Sequence, residues 1–244
     1  MVAGGTDSRL LRCVDLGKRY DGFALGEVNV DVFRGGILFV CGHNGSGKTT
    51  LLKLIGGREE PSSGVVELFD RASGWRNPAS SRDVFTWIPQ DVGDVLAGDM
   101  YVHEVVSLAP DPGAVRELAH KADAEWLGKT RDARLVKQLS GGEKQLFVGV
   151  MALATKAELL LLDEVLRSLD AEIRAKYWSI VKSRVRDDCA GAVVVSHDIE
   201  FVCSEPEAAI LVLVKGKPGF CGKVSDLSAR ELSLLVGGQN IRDL

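Results

Sequence analysis

The eight residues GHNGSGKT at 42–49 constrain this chain more than any other stretch. They match G-x-x-x-x-G-K-[ST] and sit between two readable elements. Before them, ILFVC (37–41) is apolar at every position, as a strand covered on both faces of a parallel sheet must be. After them, TTLLKLI (49–55) reads as a helix. Gly42, Gly45 and Gly47 let the backbone bend so that successive N–H groups face one anion. The start of the helix adds the positive end of its dipole. Lys48 has the reach for β- and γ-phosphates, and the Thr49 hydroxyl can ligate Mg²⁺. A glycine-rich turn with a stray lysine is the bland alternative, and the strand–loop–helix order speaks against it.

A phosphate loop that binds Mg²⁺ needs an acidic partner at the tip of a neighbouring strand. LLLLDE (159–164) supplies it: Asp163 ends the leucine run and suits the metal, and Glu164 can orient or deprotonate a water. Two acids after a strand also serve as ordinary helix caps; Lys48 upstream favours the chemical reading.

Elsewhere, strands and helices alternate. Strands are expected at 10–16, around Val28, Val30 and Val32, and at 65–69, 84–88, 159–162, 192–195 and 209–214. Helices are expected at 143–155, 171–186 and 198–204, and in the tail at 225–236. Residues 71–81 read as loop, and 91–138 as a mostly helical insert with helical spacing at 113–127. The alternation points to a parallel α/β sheet. The expected fold class is α/β.

Composition narrows the function. The 244 residues are 45% hydrophobic and 26% charged, enough to bury a core without cross-links. A net charge of −4 gives no support to a large nucleic-acid footprint. None of the five cysteines forms a C-x-x-C pair, which argues against a zinc or redox site and for a reducing, cytosolic setting. The start of the chain has no signal-peptide core, and no apolar run approaches the ~18 residues that span a bilayer. Work at a membrane would need another chain to hold this one there.

LSGGEKQ (139–145) is a second anion-ready loop, with Ser140, Gly141 and Gly142 opening a helix. One chain has no obvious use for two such loops. Two chains do, if each supplies one loop to the other's nucleotide. With this motif the sequence resembles the ATP-binding cassette (ABC) ATPases over roughly residues 10–215. GHNGSGKT resembles their Walker A loop, LLLLDE their Walker B strand with catalytic glutamate, and LSGGEKQ their signature. The resemblance implies a single cassette: a P-loop ATP-binding core at about 8–90 and 156–216 with an antiparallel β subdomain, an inserted helical subdomain at about 91–155, and a short C-terminal extension at 217–244. It also implies ATP and Mg²⁺, with His43, Asn44, Ser46 and Thr50 joining the glycines and Lys48 around the phosphates. It makes Gln90 in WIPQD the glutamine that meets Mg²⁺, and His197 in VVVSHD the histidine at the γ-phosphate. Tyr20 in LGKRYD becomes the aromatic on adenine, and Asp170 in RSLD the aspartate at the dimer seam. Tyr20 also reads as an ordinary strand-end aromatic, and His197 as a capping histidine.

Two places depart from the family. After the Walker B aspartate the usual pattern is E-P-T-S-A-L-D; here it is Glu164-Val165-Leu166-Arg167-Ser168-Leu169-Asp170. The lost proline frees φ at 165, and the added Arg167 calls for a partner, expected across the seam. Altered communication between the two sites or a dedicated partner chain is the expected consequence. Leu146 stands where the family carries an arginine, in an apolar run (146–154) that reads as a better-packed helix. The resemblance implies a head-to-tail dimer, homo- or heteromeric, whose ATP turnover powers transport through separate integral membrane subunits. The chain would then be cytoplasmic, peripheral on the inner face of the membrane. A soluble ABC ATPase that drives assembly, such as of iron–sulfur clusters, is the alternative. A degenerate, non-hydrolysing cassette is a third, opposed by Lys48, Asp163, Glu164 and His197. The substrate and its direction are left open.

Overall fold

The computed structural model describes residues 8–71, 73–81, 84–90, 92, 99–128, 134–167 and 169–239. Its frame is a six-stranded sheet of β3 (Ile37–Cys41), β6 (Phe85–Ile88), β7 (Leu159–Asp163), β8 (Gly191–Val195), β9 (Ala209–Val214) and β10 (Lys217–Lys223). In space the order is β10-β9-β3-β8-β7-β6. All neighbours are parallel except β9 and β10. The four central strands carry almost no polar residue because each face meets a different core. Leu160, Leu162, Phe39 and Val194 point to one apolar cluster, while Leu159, Leu161, Leu38 and Val193 point to the other. This is the period-two alternation of a pleated strand with both faces dry.

The second cluster is closed by an antiparallel sheet in the order β2-β1-β4-β5 and by the helix α1 (Lys48–Ile55). The strands are β1 (Arg9–Tyr20), β2 (Phe23–Phe33), β4 (Ser63–Asp70) and β5 (Gly74–Arg76). Helices cover the first cluster: α2 (Val102–Ser107), α3 (Pro112–Lys121), α4 (Gly141–Leu153), α5 (Ala171–Asp187), α6 (Ile199–Cys203) and α7 (Ala229–Val236).

The structure differs from the sequence expectation in three elements. Residues 71–81 hold the short strand β5, whose Trp75 packs edge-on against Phe69 with ring centroids 5.4 Å apart. Three residues are too few to show a period. The helical spacing at 113–127 breaks at Asp123, which takes a left-handed φ of 53° and ends α3 in a turn. Residues 217–223 form β10, antiparallel to β9. Pro218 and two glycines hide it in the sequence, yet proline is tolerated on an edge strand, which β10 is. The α4 helix does pack as expected: Leu146, Phe147 and Val150 are buried. The expected insert falls partly outside the described residues, at 91, 93–98 and 129–133, as does Ser168.

Cys13, Cys41, Cys189, Cys203 and Cys221 are all free thiols. Among the described residues no helix is long and apolar enough to cross a membrane.

Candidate functional site

The sheet topology assembles the site. The phosphate loop follows β3, Gln90 lies two residues beyond β6, Asp163 ends β7 with Glu164 next to it, and His197 lies two residues beyond β8. The registers Val40↔Val195, Val195↔Asp163 and Leu162↔Ile88 put the four strand tips level. Ligands of open parallel sheets bind at this carboxyl edge. A cleft of about 560 Å³ opens there, lined by Phe23, Asn44, Gly45, Gly47, Lys48, Thr49, Thr50, Gln90, Glu164 and Arg167.

The loop is tight. Gly42 has φ 143°, and a Cβ there would come within 2.3 Å of the Leu213 carbonyl oxygen. Only glycine fits at this turn. Gly47 caps α1, and Lys48 begins it. The Lys48 ammonium donates to the carbonyls of Gly42 (2.8 Å) and His43 (2.9 Å). Burial lowers its pKa, while Glu164 and Asp163 oppose that shift. Asp163 is 5% exposed; burial and the adjacent Glu164 push its carboxyl up to about 6. Lys48 is the cation that opposes this rise at Asp163. The Ser46 hydroxyl, fully buried in the loop, has no hydrogen-bond partner among the described residues. An orphaned buried hydroxyl and a buried carboxyl at the strand tip fit a phosphate-bound divalent cation, to which Thr49, Gln90 and Asp163 would offer oxygen donors. Among the described residues no cluster of three His, Cys, Asp or Glu side chains stands ready to hold a metal alone. Mg²⁺ bound chiefly through phosphates and water needs none.

Glu164 takes a left-handed φ of 50°, with its N–H donating to the Val195 carbonyl (3.2 Å). Such a backbone costs of order 1–3 kcal/mol in a non-glycine residue and persists where the surroundings over-determine it. Its carboxylate lies 3.4 Å from His197 Nδ1 and 3.5 Å from Arg167 Nη1. Arg167 thus has its partner within the same chain, where the sequence suggested one across a seam. Val165 and Leu166 are 3% and 7% exposed and pack into the larger core, so the apolar residues anchor the turn after Glu164.

Other expected residues stand apart from this cleft. Ser140, Gly141 and Gly142 are not among its lining. Ser140 caps α4, accepting from the Glu143 N–H (3.3 Å), and Glu143 accepts from the Ser140 N–H (2.8 Å). That bond holds the Glu143 carboxyl below its ordinary range. Asp170 caps α5 by accepting from the N–H groups of Glu172 (3.1 Å) and Ile173 (3.0 Å). Tyr20 ends β1 half exposed, with its hydroxyl bonded to Glu59. His43 places its ring against Gly238, beyond α7.

Two residues escaped the sequence reading. Phe23 lines the cleft and stacks on Tyr20 with ring centroids 6.4 Å apart. The signal was there: Asp21-Gly22 is a two-residue hairpin turn, which pairs Tyr20 with Phe23 across the strands. Gln145, the last residue of LSGGEKQ, is 3% exposed and donates to the Pro89 carbonyl (3.3 Å), tying α4 to the backbone beside Gln90.

This fold, and the phosphate loop at its carboxyl edge, define a nucleotide-binding cassette. Residues 25–167 match the ABC transporter family, and the chain belongs to that family. It is 33% identical over 205 residues to an Fe(3+) ions import ATP-binding protein of Rhodococcus jostii, covering 80% of this chain and 52% of that protein. It is 32% identical over 206 residues to a zinc import ATP-binding protein of Pseudomonas aeruginosa, covering 84% of this chain and 71% of that one. A sulfate/thiosulfate import ATP-binding protein of Rhodopseudomonas palustris is 30% identical, with 63% of its length covered. The chain thus spans about half to two thirds of the length of several of these relatives. The fold superposes on the ATP binding subunit of an ABC transporter with a TM-score of 0.78 at 24% identity, covering 93% of this chain and 99% of that one. A bacterial Atm1-family ABC exporter with ATP bound also gives 0.78, at 22% identity, covering 94% of this chain and 42% of that one.

Proposed function

We propose that this chain binds and hydrolyses ATP, and that a pair of such cassettes drives transport through separate integral membrane subunits. The observation that carries the reading is one cleft uniting the phosphate loop, Gln90 and Glu164 at the level tips of parallel strands. Lys48 and the loop amides hold the β- and γ-phosphates, with Gly42, His43, Asn44, Gly45, Ser46, Gly47 and Thr50 shaping the cradle. Mg²⁺, held by Thr49, Gln90 and Asp163, would neutralise phosphate charge. Phe23 and Tyr20 form the aromatic edge for the base. Glu164 orients the attacking water, and His197, 3.4 Å from its carboxylate, fixes it and meets the γ-phosphate.

Ser140, Gly141, Gly142 and Asp170 are left for the second cassette, whose identity as a copy of this chain or a different one decides the symmetry of the pair. The helical segment within 91–155 receives the membrane partner. The relatives' names are those of import proteins, which favours import and a place on the cytoplasmic face of a membrane.

The test has two arms. Glu164→Gln lowers steady-state ATP turnover by about 100-fold or more while nucleotide still binds; equal turnover in the two proteins removes Glu164 from the chemistry. The tagged chain, purified from its host's membranes in mild detergent, carries a stoichiometric membrane-spanning protein. Recovery with soluble partners alone shifts the reading to an assembly ATPase.

A further inference from the structure

Arg167 has no counterpart in the family pattern, where a serine stands, and it lies in the cleft itself. Three features set its position. Val165 and Leu166 are buried and pin the turn to the core. The Arg167 N–H donates to the Glu164 carbonyl (3.1 Å), closing the turn. Its guanidinium Nη1 lies 3.5 Å from one Glu164 carboxylate oxygen, while His197 stands 3.4 Å from the other. The two partners differ in freedom: the Glu164 side chain is 8% exposed and that of Arg167 63%. At 3.5 Å, with the guanidinium in water, the pair is loose, and a second anion with better geometry displaces it. Guanidinium matches phosphate oxygens in a planar fork, which makes a phosphoryl group that second anion.

We propose that Arg167 is a γ-phosphate contact, held in reserve by Glu164 while the cleft is empty and transferred to the γ-phosphate when a nucleoside triphosphate fills it. The transfer has two effects. It adds a cation to the terminal phosphate from the same chain, and it frees one oxygen of Glu164 for the attacking water. The inference rests on the nucleotide reading of the cleft. A diphosphate ends short of Arg167 and leaves the ion pair in place, so this residue discriminates between substrate and product.

The test is calorimetric titration of the nucleotide-free chain with a non-hydrolysable ATP analogue and, separately, with ADP, both with Mg²⁺. Wild type is compared with Arg167→Ala and Arg167→Lys. The alanine variant loses about tenfold or more in analogue affinity while ADP affinity stays within about twofold, and lysine restores part of the loss. A role in holding the turn alone would move both ligands together. An analogue-to-ADP affinity ratio equal to that of wild type, with both ligands bound, overturns this proposal and leaves the nucleotide site standing. So does tighter analogue binding by the alanine variant, the mark of a cation that only blocks Glu164. A wild-type chain that binds neither ligand overturns the nucleotide reading and this proposal with it.

Discussion

At the residue scale, Phe23, Lys48 and Glu164 line one cleft, and Asp163 lies buried at the strand tip next to Glu164. Lys48, Asp163 and Glu164 announce themselves by motif. That Asp163 is buried enough to be pushed up to about 6, or that Glu164 sits at a left-handed φ, depends on what the fold packs around them. Phe23 shows the same limit. A phenylalanine at the start of a strand is unremarkable until the hairpin folds it against Tyr20 at the mouth of the cleft. Base–aromatic stacking is worth about 1–3 kcal/mol, so Phe23→Ala should weaken ATP and ADP alike, by about fivefold to a hundredfold. Titration with a fluorescent analogue of each nucleotide measures this. An effect on one nucleotide alone would place Phe23 at the phosphates instead of the base.

At the element scale, α4 joins the signature loop to the core. Its sequence reads as a helix with an apolar excess, and the structure explains the excess: buried residues surround Gly149, where the helix meets α5. A Cβ on Gly149 would fall 2.4 Å from Tyr177 Cε2 and 2.3 Å from its hydroxyl, inside a ring with no room to move. Gly149→Ala should therefore cost about 1–3 kcal/mol through overpacking, although alanine is the better helix former. A thermal melt should show a loss of several degrees. An unchanged or raised melting temperature would mean that the two helices separate more easily than their packing implies. The strands β5 and β10 are defined by the partner they pair with rather than by a pattern of their own.

At the scale of the whole molecule, the two anion-ready loops stand apart. The cleft takes in the phosphate loop, and its lining leaves out Ser140, Gly141 and Gly142. A second cassette facing the first head to tail would close this gap. Among the described residues, no atom beyond its chain neighbours and its own helix backbone lies within 4 Å of a Cβ added at Gly141, so an aspartate there disturbs none of them. Gly141→Asp should keep the monomer folded and bind ATP in its own cleft. It should abolish ATP-dependent dimerisation, because its carboxylate would face the partner's nucleotide phosphates across the seam. Light scattering with Mg²⁺-ATP, in a Glu164→Gln background that preserves bound nucleotide, gives the mass directly. A dimer that survives the substitution would remove the signature loop from the interface.

What the sequence by itself determined is the α/β class, the phosphate loop, the acidic pair at the end of β7 and the family to which the chain belongs. Each is written in consecutive residues, and local chemistry suffices to read it: glycines that permit the turn, a lysine at a helix start, an apolar run ended by two acids. Tertiary structure alone decided which side chains share the cleft. It brought Gln90 from beyond β6, and Glu164 with Arg167 from the turn beyond β7, to level strand tips beside the phosphate loop that follows β3. These relations are set by strand order and register, which come from long-range pairing and burial.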